Sequence, residues 1–192
     1  MMASLDHVLI LIAGAVLTAI AVWRAPLWRV PVALAMWAAI LFVRWPRFTA
    51  FDIVVGSVGS LSVTMMVVIA ASALGYWGLA RPRDDELRFA AVALIASGVV
   101  LYASAFGLTM FDAYRTGFSH TVPVVLSLAV IAWSAFKGWL WLPITMALVS
   151  IAHRLGALPS SNWWDYVMDP VLFVAAIVFL IIVASRRNRA HA

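Results

Sequence analysis

Residues 89–108, FAAVALIASGVVLYASAFGL, run without one charged side chain. A helix needs about 20 mostly apolar residues to cross the roughly 30 Å hydrocarbon core of a bilayer. Several other stretches of the chain have the same character, and charges, prolines and glycines collect in the connectors between them. The composition agrees: 66% of the 192 residues are hydrophobic and 11% are charged. Soluble domains carry about 45–50% apolar and about 25% charged residues. So large an apolar excess calls for an apolar solvent. The sequence therefore predicts an all-α fold, a polytopic transmembrane helix bundle that forms a single integral membrane domain over residues 1–192.

About seven crossings are expected from run length and flanking Trp, Arg and Lys. They are 7–23, 30–43, one within 52–80, 89–108, 121–136, 139–152 and 170–185. Pro26 breaks the chain in RAPLWR, and Lys137-Gly138 divides the fifth from the sixth. Asp169 and Pro170 form a helix start, with the aspartate as N-cap and the proline in the first helical position. The count falls to six if 139–152 only dips into the membrane.

Lys and Arg gather on cytoplasmic faces. With the C-terminal RRNR inside, that face holds Arg24, Arg29, Arg81, Arg83, Arg88, Lys137, Arg186, Arg187 and Arg189, and the other holds Arg44, Arg47, Arg115 and Arg154. This bias places the N-terminus outside and the C-terminus in the cytoplasm, as in a bacterial inner-membrane protein. The N-terminal MMASLDHVLILIAG carries Asp6 where a secretory leader would carry positive charge, which predicts a retained first helix.

Several chemistries are excluded. There is no cysteine, hence no disulfide, thiolate metal site or thiol nucleophile. No HExxH, Gly-x-Ser-x-Gly or Gly-Lys-Ser/Thr phosphate loop occurs. The histidines lie at edges and in connectors rather than facing each other in the bundle, so no haem is expected. Lys137, the only lysine, sits in a turn, which argues against a Schiff-base pigment. The histidine and aspartate spacing does not predict a metal site, and no cofactor is expected. The basic pI of 10.4 comes from helix-end arginines, with no basic stripe for nucleic acid.

Polar residues on the non-cytoplasmic face carry the functional expectation. Asp52, Asp112 and Asp165 each follow an aromatic residue in a different connector. FDAYRTGFSH, residues 111–120, supplies Asp112, Arg115 and His120 around Gly117, and Asp112 can pair with Arg115 three residues on. SSNWWDYVMDP, residues 160–170, joins acceptors to aromatic anchors and reads as a cap over the bundle mouth. Arg154 is an expected counter-ion for Asp165 or Asp169. Asp112, Arg115, His120, Asp165, Asp52 and Trp164 are thus the candidate ligand-binding residues. Most of the tryptophans are explained by interfacial belts. RPRDDELR, residues 81–88, is expected to be a solvated charge cluster. Gly56, Ser60 and Thr64 form a small-residue stripe suited to helix packing, the alternative being a broken or re-entrant opening near Gly56 and Gly59, and Ala15 and Ala19 form a similar pair that could serve a partner.

The resulting expectation is a transport or solute- or lipid-head-group-binding protein with a polar pocket on the non-cytoplasmic face. Two alternatives stay open: a non-catalytic subunit or assembly factor, and a membrane enzyme modifying a lipid or lipid-linked sugar. The expected partners are the lipid bilayer, a small-molecule or lipid ligand and a partner membrane protein; nucleic acid is not among them.

Overall fold

The computed structural model describes residues 61–190 apart from Trp77, together with a two-residue antiparallel ladder that pairs Arg44 with Thr49 and Trp45 with Phe48. All other described elements are helical. They are α1 (Val63–Tyr76), α2 (Asp84–Ala105), a 3-10 turn (Tyr114–Phe118), α3 (Thr121–Lys137), α4 (Trp141–Arg154), the short α5 (Trp164–Val167) and α6 (Pro170–Ala190).

Each boundary has a local cause. Ser62 caps α1 by accepting the Met65 N–H on its hydroxyl at 3.1 Å. The first turn of α2 carries Asp84, Asp85 and Glu86, where negative charge complements the helix dipole. Gly138, at φ 66°, ends α3 in the left-handed conformation that glycine adopts without strain, and the Trp139 N–H closes back on Ser134 O at 2.8 Å. Asp169 caps α6: its Oδ1 accepts the Leu172 N–H at 2.8 Å, as its position before Pro170 predicts.

α3 and α4 pack as a hairpin, α2 lies along α6, and α1 rests on α4 and α5. The main core joins Met146 and Val149 of α4 to Leu158, Trp163, Tyr166 and Val167 of the following connector. A second cluster gathers Leu101, Ala113 and Met168 beside Phe173. Gly98 lets α2 approach α6, because a Cβ there would meet the Phe173 ring.

α2 and α6 are long and apolar enough to cross a membrane. Only 17% and 11% of their spanning windows are buried within the protein. Val92, Val99 and Val100 of α2 and Val174, Val178 and Ile181 of α6 are exposed. α1 and α4 have 14 residues each and α3 has 17. At about 1.5 Å per residue they measure roughly 21 and 26 Å, short of the roughly 30 Å hydrocarbon thickness. The described helices overlap the expected segments 89–108, 121–136, 139–152 and 170–185, and α1 lies within 52–80; among them α2 and α6 alone have the length and apolarity of a crossing. The segments 7–23 and 30–43, the pair at Ala15 and Ala19, and Asp52, Gly56, Gly59 and Ser60 lie outside the described residues.

One expectation is corrected. RPRDDELR is not a wholly solvated loop: Asp84 begins α2, and Glu86 is only 2% exposed. Helical phase turns Glu86 inward while Asp84 and Asp85 stay outside, paired with Arg81 at 3.7 Å and Arg83 at 3.2 Å.

Candidate functional site

The connectors 111–120 and 160–169 form one interlocked unit. The Trp163 N–H donates to Gly117 O at 3.1 Å, and Asn162 Nδ2 donates to Tyr114 O at 2.9 Å. Trp164 Nε1 donates to Thr116 Oγ1 at 3.1 Å. Asn162 is fully buried, and its Oδ1 also accepts the Trp164 N–H at 2.9 Å, starting α5. Gly117 is required by close approach, because a Cβ at that position would overlap Asn162 Oδ1. Each connector thus satisfies the other's backbone, as polar groups away from water must be satisfied.

Two carboxylates lock this unit to the helices. Asp165 accepts the Tyr114 hydroxyl on both oxygens, at 2.9 and 2.8 Å. Burial pushes the Tyr114 phenol up to about 12, helped by the hydrogen bond to Asp165 and that group's negative charge. Asp169 is 4% exposed. Its Oδ2 accepts the Ser62 N–H at 2.9 Å and the Ser62 hydroxyl at 2.7 Å, while Oδ1 caps α6. One carboxylate therefore joins the N-termini of α1 and α6, where both helix dipoles favour negative charge. Arg154 forms no ion pair among the described residues. Ser62 and Tyr114 occupy the places expected for it.

The predicted site residues do not converge on one pocket. The Asp112–Arg115 contact is made through the backbone: the Arg115 N–H donates to Asp112 Oδ1 at 3.1 Å, and both residues are exposed. His120 is exposed and borders a depression of about 40 Å³ with His153 and Arg154. Asp165 is engaged by Tyr114. Trp164 alone borders the large cavity, and Asp52 lies outside the described residues. Among the described residues no three His, Asp or Glu side chains gather as a metal-binding set.

That large cavity is a cleft of about 620 Å³, within the range typical of ligand sites, roughly 300–1,000 Å³. Its α1 wall is the stripe Thr64, Val67, Val68, Ala71 and Gly75, which recurs at helical spacing. α2 supplies Glu86, Ala90, Ala93 and Ser97, again one face. α4 adds Trp141, Leu142, Thr145 and Met146, and Trp163, Trp164 and Val167 close one end. Val68, Ser72 and Ala93 on its walls are exposed, so the cleft is open rather than enclosed. From Thr64 to Gly75 the α1 wall rises about 16 Å at about 1.5 Å per residue.

Sequence reasoning missed the polar groups of this cleft. Glu86 Oε1 accepts the Leu142 N–H at 2.7 Å, capping α4 from a neighbouring helix. Thr64 Oγ1 and Trp163 Nε1 are buried with no hydrogen-bond partner. The serines and threonine elsewhere on the walls are satisfied locally: Ser72 donates to Val68 O at 2.7 Å and Thr145 to Trp141 O at 2.7 Å. The signal for Glu86 was present. Once Asp84 starts the helix, Glu86, Ala90, Ala93 and Ser97 fall on one face.

Comparison of the chain with protein-family models, with curated proteins and with solved structures returns no match.

Proposed function

We propose that this is a multi-pass integral membrane protein that holds one chain of a lipid-like amphiphile in the cleft between α1, α2 and α4. The observation that carries the reading is the cleft itself: about 620 Å³, walled by Val, Ala, Leu and Met side chains, with a buried carboxylate at one end. Its wall of about 16 Å is about half the roughly 30 Å hydrocarbon thickness, the depth of one leaflet. The exposed apolar faces of α2 and α6 favour a bilayer setting, in which lipid chains are the available ligand. The excess of Lys and Arg on one side supports a bacterial inner-membrane location with the N-terminus outside. In that orientation the Arg81 and Glu86 end of the cleft faces the cytoplasm and the Trp163 end faces the other side.

This reading keeps ligand binding or transport as the function and moves the ligand away from the connectors. Tyr114, Thr116, Asn162 and Asp165 of the connectors are spent on one another, whereas the cleft is lined by apolar walls. Native mass spectrometry of protein released from mild detergent tests it. The expected spectrum shows protein plus one lipid mass, and the adduct is reduced in Ala93→Phe, which fills an exposed position on the cleft wall. A lipid-free spectrum in all mild detergents, or an adduct indifferent to Ala93→Phe, would sink the proposal.

A further inference from the structure

We infer that the amphiphile bound in the cleft carries a phosphate–ammonium head group, as an aminophospholipid does, with its ammonium on Glu86 and its phosphate on Arg81. The inference rests on the reading of the cleft as a lipid site and adds the class of ligand.

Glu86 is the starting point. It is 2% exposed, it lines the cleft, and only its Oε1 has a recorded partner, the Leu142 N–H at 2.7 Å. Oε2 has no hydrogen-bond partner among the described residues, and no Lys, Arg or His nitrogen among them lies within 4.0 Å of this carboxylate. A buried carboxylate without a counter-cation is costly, and the α4 dipole offsets only part of that cost. The two acids beside it differ. Asp84 and Asp85 are exposed to water, and Asp85 is further engaged by Arg83 at 3.2 Å and Trp139 Nε1 at 2.9 Å. Among the described residues no cation pairs with Glu86, and of the three acids it alone lines the cleft, so the cleft is where a bound cation can reach it.

The surroundings define that cation further. Arg81 lines the same end, and its side chain is 76% exposed with a single long pairing to Asp84. Exposed pairs of this kind bind weakly, so the guanidinium is free to take a phosphate in the forked geometry it prefers. Trp141 also lines the cleft, and an indole ring attracts an ammonium group. An amine on an alkyl chain would satisfy Glu86 but leave Arg81 unused. A purely anionic lipid would satisfy Arg81 and place a negative charge near an uncompensated carboxylate. A head group bearing both charges satisfies both residues, while its chain runs along the apolar walls towards Trp163.

The test uses the full-length protein in mild detergent and four synthetic lipids of identical acyl chains: phosphatidylethanolamine, phosphatidylglycerol, phosphatidylcholine and phosphatidic acid. Occupancy is read by native mass spectrometry in pairwise competition. Wild type is expected to prefer phosphatidylethanolamine over phosphatidylglycerol by roughly tenfold, the scale of one charge-assisted hydrogen bond. Phosphatidylcholine, which lacks N–H donors, should fall below phosphatidylethanolamine. Glu86→Gln keeps an acceptor for the Leu142 N–H, so the fold stands, and it should remove the preference by lowering phosphatidylethanolamine occupancy to the level of phosphatidylglycerol. Arg81→Gln should weaken all four lipids together. Equal binding of the four by wild type, or an unchanged preference in Glu86→Gln, would overturn the head-group assignment and leave the apolar cleft intact. Binding of none of them would instead remove the lipid reading on which it depends.

Discussion

Asp169→Asn is the most informative perturbation of the fold that supports the cleft. Asp169 takes three hydrogen bonds in a site 4% exposed, two from Ser62 and one from the Leu172 N–H. Hydrogen bonds to a charged group contribute about 1.5–3 kcal/mol each, and more is lost when buried donors are left unpaired. Asparagine retains one oxygen for the Leu172 N–H and turns an amide NH2 towards the Ser62 donors. Two bonds are then lost, for a cost of roughly 3 kcal/mol. Ser62→Ala removes the hydroxyl bond to Asp169 and the cap on Met65, roughly 1–2 kcal/mol. Because the two substitutions destroy a shared interaction, the double variant should fall short of their sum by at least about 1 kcal/mol. The assay is reversible unfolding in mixed micelles, titrated with a denaturing detergent and followed by far-ultraviolet circular dichroism. A neutral Asp169→Asn, or two effects that add within about 0.5 kcal/mol, would refute the link between α1 and α6.

Further outcomes follow from the same contacts. Tyr114→Phe should cost about 1 kcal/mol at neutral pH, since the hydrogen bond to Asp165 is only partly shielded from solvent. The phenol's acidity is displaced from the usual 10.0 to about 12, so its contribution is intact below pH 10 and lost as pH rises towards 12. Wild type should therefore destabilise across that interval and Tyr114→Phe should lack this component, as measured by thermal melts at stepped pH. Thr64→Val removes a buried hydroxyl without a partner and should raise the stability of lipid-free protein by about 1 kcal/mol; a loss would show that the hydroxyl is bonded. Gly117→Ala places a methyl group against Asn162 Oδ1 and should cost at least about 1–3 kcal/mol by forcing the connectors apart, visible as a lower melting temperature.

The helices were legible in the sequence because run length and punctuation point the same way. Thr121–Lys137 ends where Lys137-Gly138 predicts, and Pro170 begins the last helix as its position requires. The start of α2 was placed too late, at Phe89 instead of Asp84, because a hydropathy window rejects charges that a helix carries freely beyond the apolar layer. That error hid Glu86, whose inward phase appears only when the helix begins at Asp84. The connectors were legible as polar and aromatic. Their partners were not, because Asn162 with Tyr114 and Asp169 with Ser62 are contacts across 48 and 107 residues. The cleft was invisible for a different reason. Its walls use the same Ala, Val and Leu as the outward faces, and only the relative placement of α1, α2 and α4 separates the two.

The lipid-bearing cleft is tested most directly by mapping where an acyl chain lies in the intact bilayer. Protein reconstituted with a phospholipid carrying a photoreactive diazirine along its chain is irradiated, digested and sequenced by mass spectrometry. The account predicts adducts on the inward stripes, at Val67, Ala71, Ala93 and Met146, which unlabelled phosphatidylethanolamine competes away. Adducts confined to outward residues such as Val99, Val178 and Ile181, with the cleft unmarked, would contradict it.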